Sequence, residues 1–297
     1  MYVPGCRRRA TWVAACCSHL PAGVLSDGRS RPRDVAAGRV VRVWSGRFAV
    51  GRVVAVGAML KACLNGGRRR DEHLAVPVTP AELAADAARC AALGVAAVHV
   101  HPRDETGAES VRPEAVAEAL TAIRAARPGL PVGVSTGAWI EPDPAARVAA
   151  VRAWPVLPDF ASVNAHEEGA EAVAAALHER GVMVEAGLWT PDAIEAYRRW
   201  PVPAGRILVE CMAEDPAVAL ADAARMLALL GVAGAPPGVP PVLLHAEGPA
   251  TWVVLAEAVR RDLSTRIGLE DTLHLPDGTL TPDNAALVAA ARAAGAH

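Results

Sequence analysis

From Met59 onward the chain repeats one unit eight times, a short apolar run followed by a stretch with helical periodicity. Parallel strands need a crossover between them, usually a helix, so this repetition leaves few architectures open. The first strand covers 60–64, and a polar loop follows from Asn65 to His73. Its helix is announced by Pro77-Val78-Thr79-Pro80-Ala81-Glu82, with Thr79 as N-cap, Pro80 as first helical residue and Glu82 closing a capping box. Further strands are predicted at 95–100, 131–135, 160–164, 182–186, 206–210, 241–245 and 265–269. Helices are predicted at 113–126, 144–152, 168–179, 191–199, 215–230, 250–260 and 282–294. The order and length are those of a (βα)8 TIM barrel over residues 59–297. A doubly wound open sheet shares the alternation, but no Gly-x-Gly-x-x-Gly follows the first strand.

A barrel of this kind places its active site at the C-terminal ends of its strands, so polar residues should collect there. They do: Asn65, His99 with His101, Ser135 with Thr136, Asn164, Glu185, Glu210, His245, and Glu270 with Asp271. His99 and His101 stand two apart on one strand, so both imidazoles project from the same face. Neutral imidazole is a favoured ligand of divalent transition metals, and a strand fixes the angle between two of them. A third ligand is needed; Glu270 is the choice, because strand eight closes the barrel beside strands one and two. Asp271 then faces elsewhere and is free for proton transfer, oriented by Arg266. Ser135, Ser162 and Asn164 offer hydrogen bonds to a substrate oxygen. His245 is left open between ligand, substrate contact and packed residue.

Lys61 is the only lysine, which leaves Schiff-base chemistry a single candidate, placed within a strand. Six cysteines form no Cys-x-x-Cys, so neither a zinc ribbon nor a disulfide framework is expected, and a reducing, cytoplasmic setting is. No apolar run is long and charge-free enough to span a bilayer, and no nucleic-acid motif or phosphate-cradling glycine loop occurs. Residues 1–58 hold ten arginines against Asp27 and Asp34. This basic extension is expected to be disordered or outside the native protein, with Met59 as the start. Arg68-Arg69-Arg70 reads as a solvated charge run or as guanidiniums that grip a carboxylate or phosphate. Trp154, Trp189, Trp200 and Trp252 read as core or groove fillers.

Taken together these residues resemble the β-keto acid cleavage enzyme family, whose best-known member acts on 3-keto-5-aminohexanoate. The likeness is carried in order by Asn65-Gly66-Gly67, Pro77-Val78-Thr79-Pro80, His99-Val100-His101-Pro102-Arg103-Asp104 and Ser135-Thr136-Gly137. It continues through Ala161-Ser162-Val163-Asn164, Arg266-Ile267-Gly268-Leu269-Glu270-Asp271 and Asp283-Asn284-Ala285. The resemblance implies a zinc enzyme, usually a homotetramer, with the metal on His99, His101 and Glu270. It implies condensation of a β-keto acid with acetyl-CoA, giving acetoacetate and a new acyl-CoA. Asp271 paired with Arg266 would move the proton, and Ser135, Thr136, Ser162, Asn164, Arg68 and Glu185 would surround the substrate.

Arg68 stands where the best-known member carries a glutamate that binds the substrate amine, so a neutral or anionic tail is expected here. The chain also ends at Ala293-Ala294-Gly295-Ala296-His297, short of the family's usual closing segment. A metal-dependent hydrolase of the amidohydrolase kind also uses His-x-His, but on strand one, with further histidines on strands five and six. A non-catalytic metal-binding relative would keep His99, His101 and Glu270 and need no Asp271.

Overall fold

The computed structural model describes residues 58–232 and 240–297. The expectation for residues 1–58 falls almost entirely outside them. The elements alternate strictly: β1 (Leu60–Cys63), α1 (Pro80–Ala92), β2 (Ala97–Val100), α2 (Pro113–Ala126), β3 (Val132–Ser135), α3 (Pro144–Ala153), β4 (Phe160–Asn164) and α4 (Ala170–Glu179). They continue with β5 (Met183–Leu188), α5 (Pro191–Tyr197), β6 (Arg206–Cys211), α6 (Pro216–Leu229), β7 (Val242–Ala246), α7 (Thr251–Arg260), β8 (Thr265–Ile267) and α8 (Asn284–Ala293). All neighbouring strands run parallel, in the order β7-β6-β5-β4-β3-β2-β1-β8. A bridge between Leu243 and Ser264, with the Leu244 N–H donating to the Ser264 carbonyl at 2.9 Å, brings β7 to β8 and completes a TIM barrel. No described helix is long and apolar enough to cross a membrane.

Local sequence explains where each crossover begins. Thr79 caps α1 and Glu82 returns the bond, as the capping box requires. Asp143, Thr190 and Asp215 cap α3, α5 and α6, each just before a proline whose missing N–H costs nothing in the first turn. Along the strands every second side chain faces the helices: Leu60 and Ala62, Val98 and Val100, Val132 and Val134, Ala161 and Val163 belong to one buried apolar layer. The alternate residues fill the barrel interior.

That interior holds an ion cluster the sequence reading missed. Lys61 Nζ lies 2.7 Å from Glu185 Oε2 with both side chains fully enclosed, and Arg206 takes the other Glu185 oxygen. Both cations lie over the Phe160 ring, at 5.4 Å and 5.8 Å. Burial opposes ionisation of Glu185, but Lys61 and Arg206 together hold its carboxyl below the usual range. Glu185 is therefore not a rim residue: β5 runs on to Leu188, which leaves Glu185 level with Arg206, the first residue of β6. The only lysine is thus committed to an ion pair, and neither it nor Glu185 lines the cavity at the strand ends.

Breaking this pair leaves one charge buried alone. We expect Lys61→Ala to cost about 3–5 kcal/mol of unfolding free energy in chemical denaturation. The double change Lys61→Met/Glu185→Leu should recover most of that loss.

Candidate metal centre and active site

At the C-terminal ends of the strands a cavity of about 410 Å³ is walled by His99, His101, Ser135, Ser162, Asn164, Glu210, Arg266 and Glu270, with Arg68, Trp139, Trp189 and Glu247 around its mouth. His99 and His101 project from the end of β2, as their spacing demands, and their Nε2 atoms lie 3.1 Å apart. Glu270 comes from the turn after β8, with Oε2 3.9 Å from His99 Nε2 and 3.7 Å from His101 Nε2. Its approach depends on Gly66, which has φ +52°, and whose Cβ, if present, would stand 2.5 Å from Glu270 Cγ. Asn65 brackets the His101 backbone, accepting from its N–H at 2.9 Å and donating to its carbonyl at 2.9 Å. Asn284 does the same for the β8 turn: it accepts from the Leu269 N–H at 2.7 Å and donates to the Leu64 carbonyl at 2.8 Å.

These residues fit a divalent metal ion. One donor atom each from His99, His101 and Glu270 falls within a sphere of mutual distances below 4.8 Å. Two donors at about 2.0–2.1 Å from a tetrahedral ion stand roughly 3.4 Å apart, close to the spacing of the two imidazole nitrogens. Glu270 Oε2 is buried without a hydrogen-bond partner, an arrangement that is costly unless something positive meets it. Burial, reinforced by His101, Lys61 and Arg266, pushes His99 well below the usual imidazole range, so it is held in the neutral, ligating form. His101 Nδ1 stands 2.5 Å from Glu109 Oε1, which fixes the tautomer that turns the Nε2 lone pair inward. Trp139 donates its indole N–H to the same oxygen at 3.2 Å and stacks on the His101 ring, centroids 6.3 Å apart.

Arg266 organises the other side. It is buried on β8 and donates to Asp271 Oδ1 from Nε at 2.9 Å, with a terminal nitrogen 2.8 Å from the same oxygen. The same terminal nitrogen reaches Glu270 Oε1 at 3.0 Å and Glu247 Oε1 at 3.4 Å. Glu270 therefore serves both partners, one oxygen toward Arg266 and the other toward the histidines. Asp271 Oδ2 is buried and unpaired. Burial raises the Asp271 carboxyl far above its ordinary range, against the pull of Arg266. His245, held near 4 by burial and by Arg266, stays neutral, 3.4 Å from Glu210 and 3.9 Å from Asp271 without hydrogen-bonding geometry to either.

Of the other residues singled out in the sequence, Ser135, Ser162, Asn164 and Arg68 line the cavity. Asn164 donates to Glu167 at 2.9 Å; Arg68 donates to the Leu269 carbonyl at 3.2 Å and to Glu72 at 2.9 Å. Thr136 spends its hydroxyl on the Ser162 carbonyl at 2.7 Å, tying the ends of β3 and β4 together. Glu185 lies deeper, as described above. Glu109, Trp139 and Glu247 were not foreseen; they sit on loops, where no periodicity marks a side chain's direction. Trp154 is core, donating to the Val111 carbonyl at 2.8 Å, whereas Trp189 lines the cavity and packs on His166 at 4.6 Å.

The family model described as beta-keto acid cleavage enzyme matches residues 58–297. The chain belongs to the β-keto acid cleavage enzyme family. Solved structures of ObcA share its fold: the apo form and a ternary complex with a C4-CoA adduct and oxalate each align at TM-score 0.59 and 15% identity over 73% of this chain. The chain spans 61% and 63% of those two, so about three fifths of ObcA is matched. A type I 3-dehydroquinate dehydratase from Clostridium difficile aligns at TM-score 0.54 and 10% identity, over 80% of this chain and 92% of its own. Family membership disfavours the hydrolase alternative, and β5 and β6 bring no histidine to the cavity.

The contact from Glu109 to His101 yields a direct test. Glu109→Ala should lower zinc affinity by about 10–100-fold, read by competition with a chromophoric chelator at fixed pH. Glu109→Gln, which keeps an acceptor oxygen, should lose less.

Proposed function

We propose that the protein is a zinc-dependent β-keto acid cleavage enzyme, an acyltransferase that converts a β-keto acid and acetyl-CoA into acetoacetate and a new acyl-CoA. The observation that carries this reading is a three-donor metal cluster facing Arg266 across one cavity, with Asp271 buried directly behind Arg266 and hydrogen-bonded to it. Family membership supports the reaction type, and the ObcA complex with a C4-CoA adduct supports acyl-CoA as a co-substrate on this fold. A homotetramer, by family resemblance, in a reducing cytoplasmic setting, by the cysteine pattern, completes the reading.

His99, His101 and Glu270 would hold a zinc ion, which would supply Lewis-acid chemistry that makes the α-proton of the keto acid more acidic. Asp271 Oδ2, buried and unpaired behind the cavity wall, takes that proton, while Arg266 holds Oδ1 and fixes the carboxylate's direction. The α-carbon then attacks the thioester carbonyl, a C–C bond forms and CoA thiolate leaves. The thiolate adds to the original keto carbon, and the bond from that carbon to the α-carbon breaks. Asp271 returns its proton to the α-carbon of the departing acetoacetate. Ser135 and Ser162 hydroxyls hydrogen-bond the substrate oxygens, Asn164 orients from the end of β4, and Thr136 keeps β3 and β4 in place. Arg68, at the mouth, meets the tail and favours a neutral or anionic one over an ammonium group.

Incubating the metal-loaded protein with acetyl-CoA and a panel of β-keto acids should form acetoacetate, and no acetoacetate from any of them would contradict the reading. Asp271→Asn should retain the metal and lose about 10²–10⁴-fold in turnover; a non-catalytic metal binder would have no turnover to lose. Arg68→Glu should shift preference toward 3-keto-5-aminohexanoate, whereas that compound as the best substrate of the unaltered protein would refute the role of Arg68.

A further inference from the structure

Of the arginine run at 68–70, only Arg68 lines the substrate cavity. Arg69 and Arg70 line a second groove of about 760 Å³, together with Arg68 and Arg103. The two spaces share Gly67, Arg68 and Trp139, so they meet at a common lip. Opposite the arginines stands a hairpin closed by the Arg103–Glu109 bridge. In its turn the N–H groups of Thr106, Gly107 and Ala108 are all spent on Asp104, so this wall supplies shape without charge. Glu109 is the one carboxylate in the groove wall, and its Oε1 is already engaged by His101 and Trp139.

Four arginines therefore line a groove with one committed carboxylate; Arg68 is tied to the Leu269 carbonyl and Glu72, and Arg103 to loop carbonyls, which leaves Arg69 and Arg70 as the two with only surface ion pairs. Arg69 is held only by an exposed pair with Asp71 at 3.0 Å, and Arg70 by a half-exposed pair with Glu82. Such pairs contribute little and exchange readily for a better anion. Arg103 donates to the Gly66 and Arg68 carbonyls, holding the loop that carries the run, and its own Nε is buried without a partner. Planar guanidinium forks match phosphate oxygens, and the charge-assisted bonds they make are the strong ones.

We infer that this groove seats the nucleotide half of the acyl-CoA, with its phosphates on Arg69 and Arg70, while the pantetheine arm passes Trp139 into the substrate cavity. The inference rests on acyl-CoA as the co-substrate proposed above. It gives the arginine run a role that the carbon chemistry leaves unassigned, and it places the phosphates outside the reacting cavity, where their charge does not compete for the metal.

Calorimetric titration of the full chain with CoA, pantetheine and inorganic phosphate tests it without requiring turnover. CoA should bind about tenfold or more tightly than pantetheine, and Arg69→Ala/Arg70→Ala should remove most of that difference while leaving pantetheine affinity unchanged. Both side chains are exposed, and Glu82 keeps its bond to the Thr79 N–H, so the α1 cap survives the change. Salt supplies a check on the unaltered protein: CoA affinity should fall as ionic strength rises and pantetheine affinity should not. Equal affinity for CoA and pantetheine, unchanged CoA binding by the double variant, or inorganic phosphate binding as tightly as CoA would each overturn the inference. Arginine-dependent CoA binding without acetoacetate formation would instead uphold the groove and refute the reaction.

Discussion

One buried guanidinium sets the arrangement at the barrel mouth. Arg266 draws Asp271, Glu270 and Glu247 to a single point, though carboxylates that close would repel one another without it. The cost of burying so much charge is met only in part by Arg266. Glu210 adds another carboxylate to the cavity wall and Glu109 one more behind His101, and Glu247 relieves the crowding through burial that raises it to about 7. An excess of negative charge with an unpaired Glu270 oxygen facing two imidazoles, that of His99 held neutral by burial, is an environment that selects a divalent cation. The proposed metal centre and the proposed proton-transfer pair are thus two faces of one electrostatic arrangement, with Glu270 as the shared wall.

The rest of the fold keeps these groups in register. Asn65 and Asn284 spend side-chain hydrogen bonds on the backbone at the ends of β2 and β8, the two places from which His99, His101 and Glu270 emerge. Gly66 leaves room for Glu270, and Glu109 clamps the outer nitrogen of His101. Below them the Lys61–Glu185–Arg206 cluster fills the barrel interior, an ionic layer separate from the one that lines the cavity above. Two ionic layers in one barrel explain why titratable side chains are so frequent on strands that otherwise read as apolar.

Much of this was legible in the chain because two periodicities act together. Strand alternation placed His99 and His101 on one face, and the eightfold repeat placed polar residues at the end of each strand, which located the cavity without knowledge of any contact. The same logic misplaced Glu185, since a run of small and apolar residues, Ala186-Gly187-Leu188, extends β5 beyond the point where the pattern suggests a loop. Strand ends are the weakest part of such a reading, and a shift of two residues moves a side chain from the rim to the interior. Glu109 and Trp139 were beyond reach for another reason: their directions are set by a loop hairpin and by a ring packing on His101, both products of tertiary structure.

The central claim is that His99, His101 and Glu270 share one ion. Anomalous scattering from crystals grown with zinc, recorded on both sides of the zinc absorption edge, addresses it directly. A single strong peak per chain, about 2.0–2.2 Å from both Nε2 atoms and from Glu270 Oε2, is the expected result. A zinc peak elsewhere, or none at this position with the metal in excess, would contradict it.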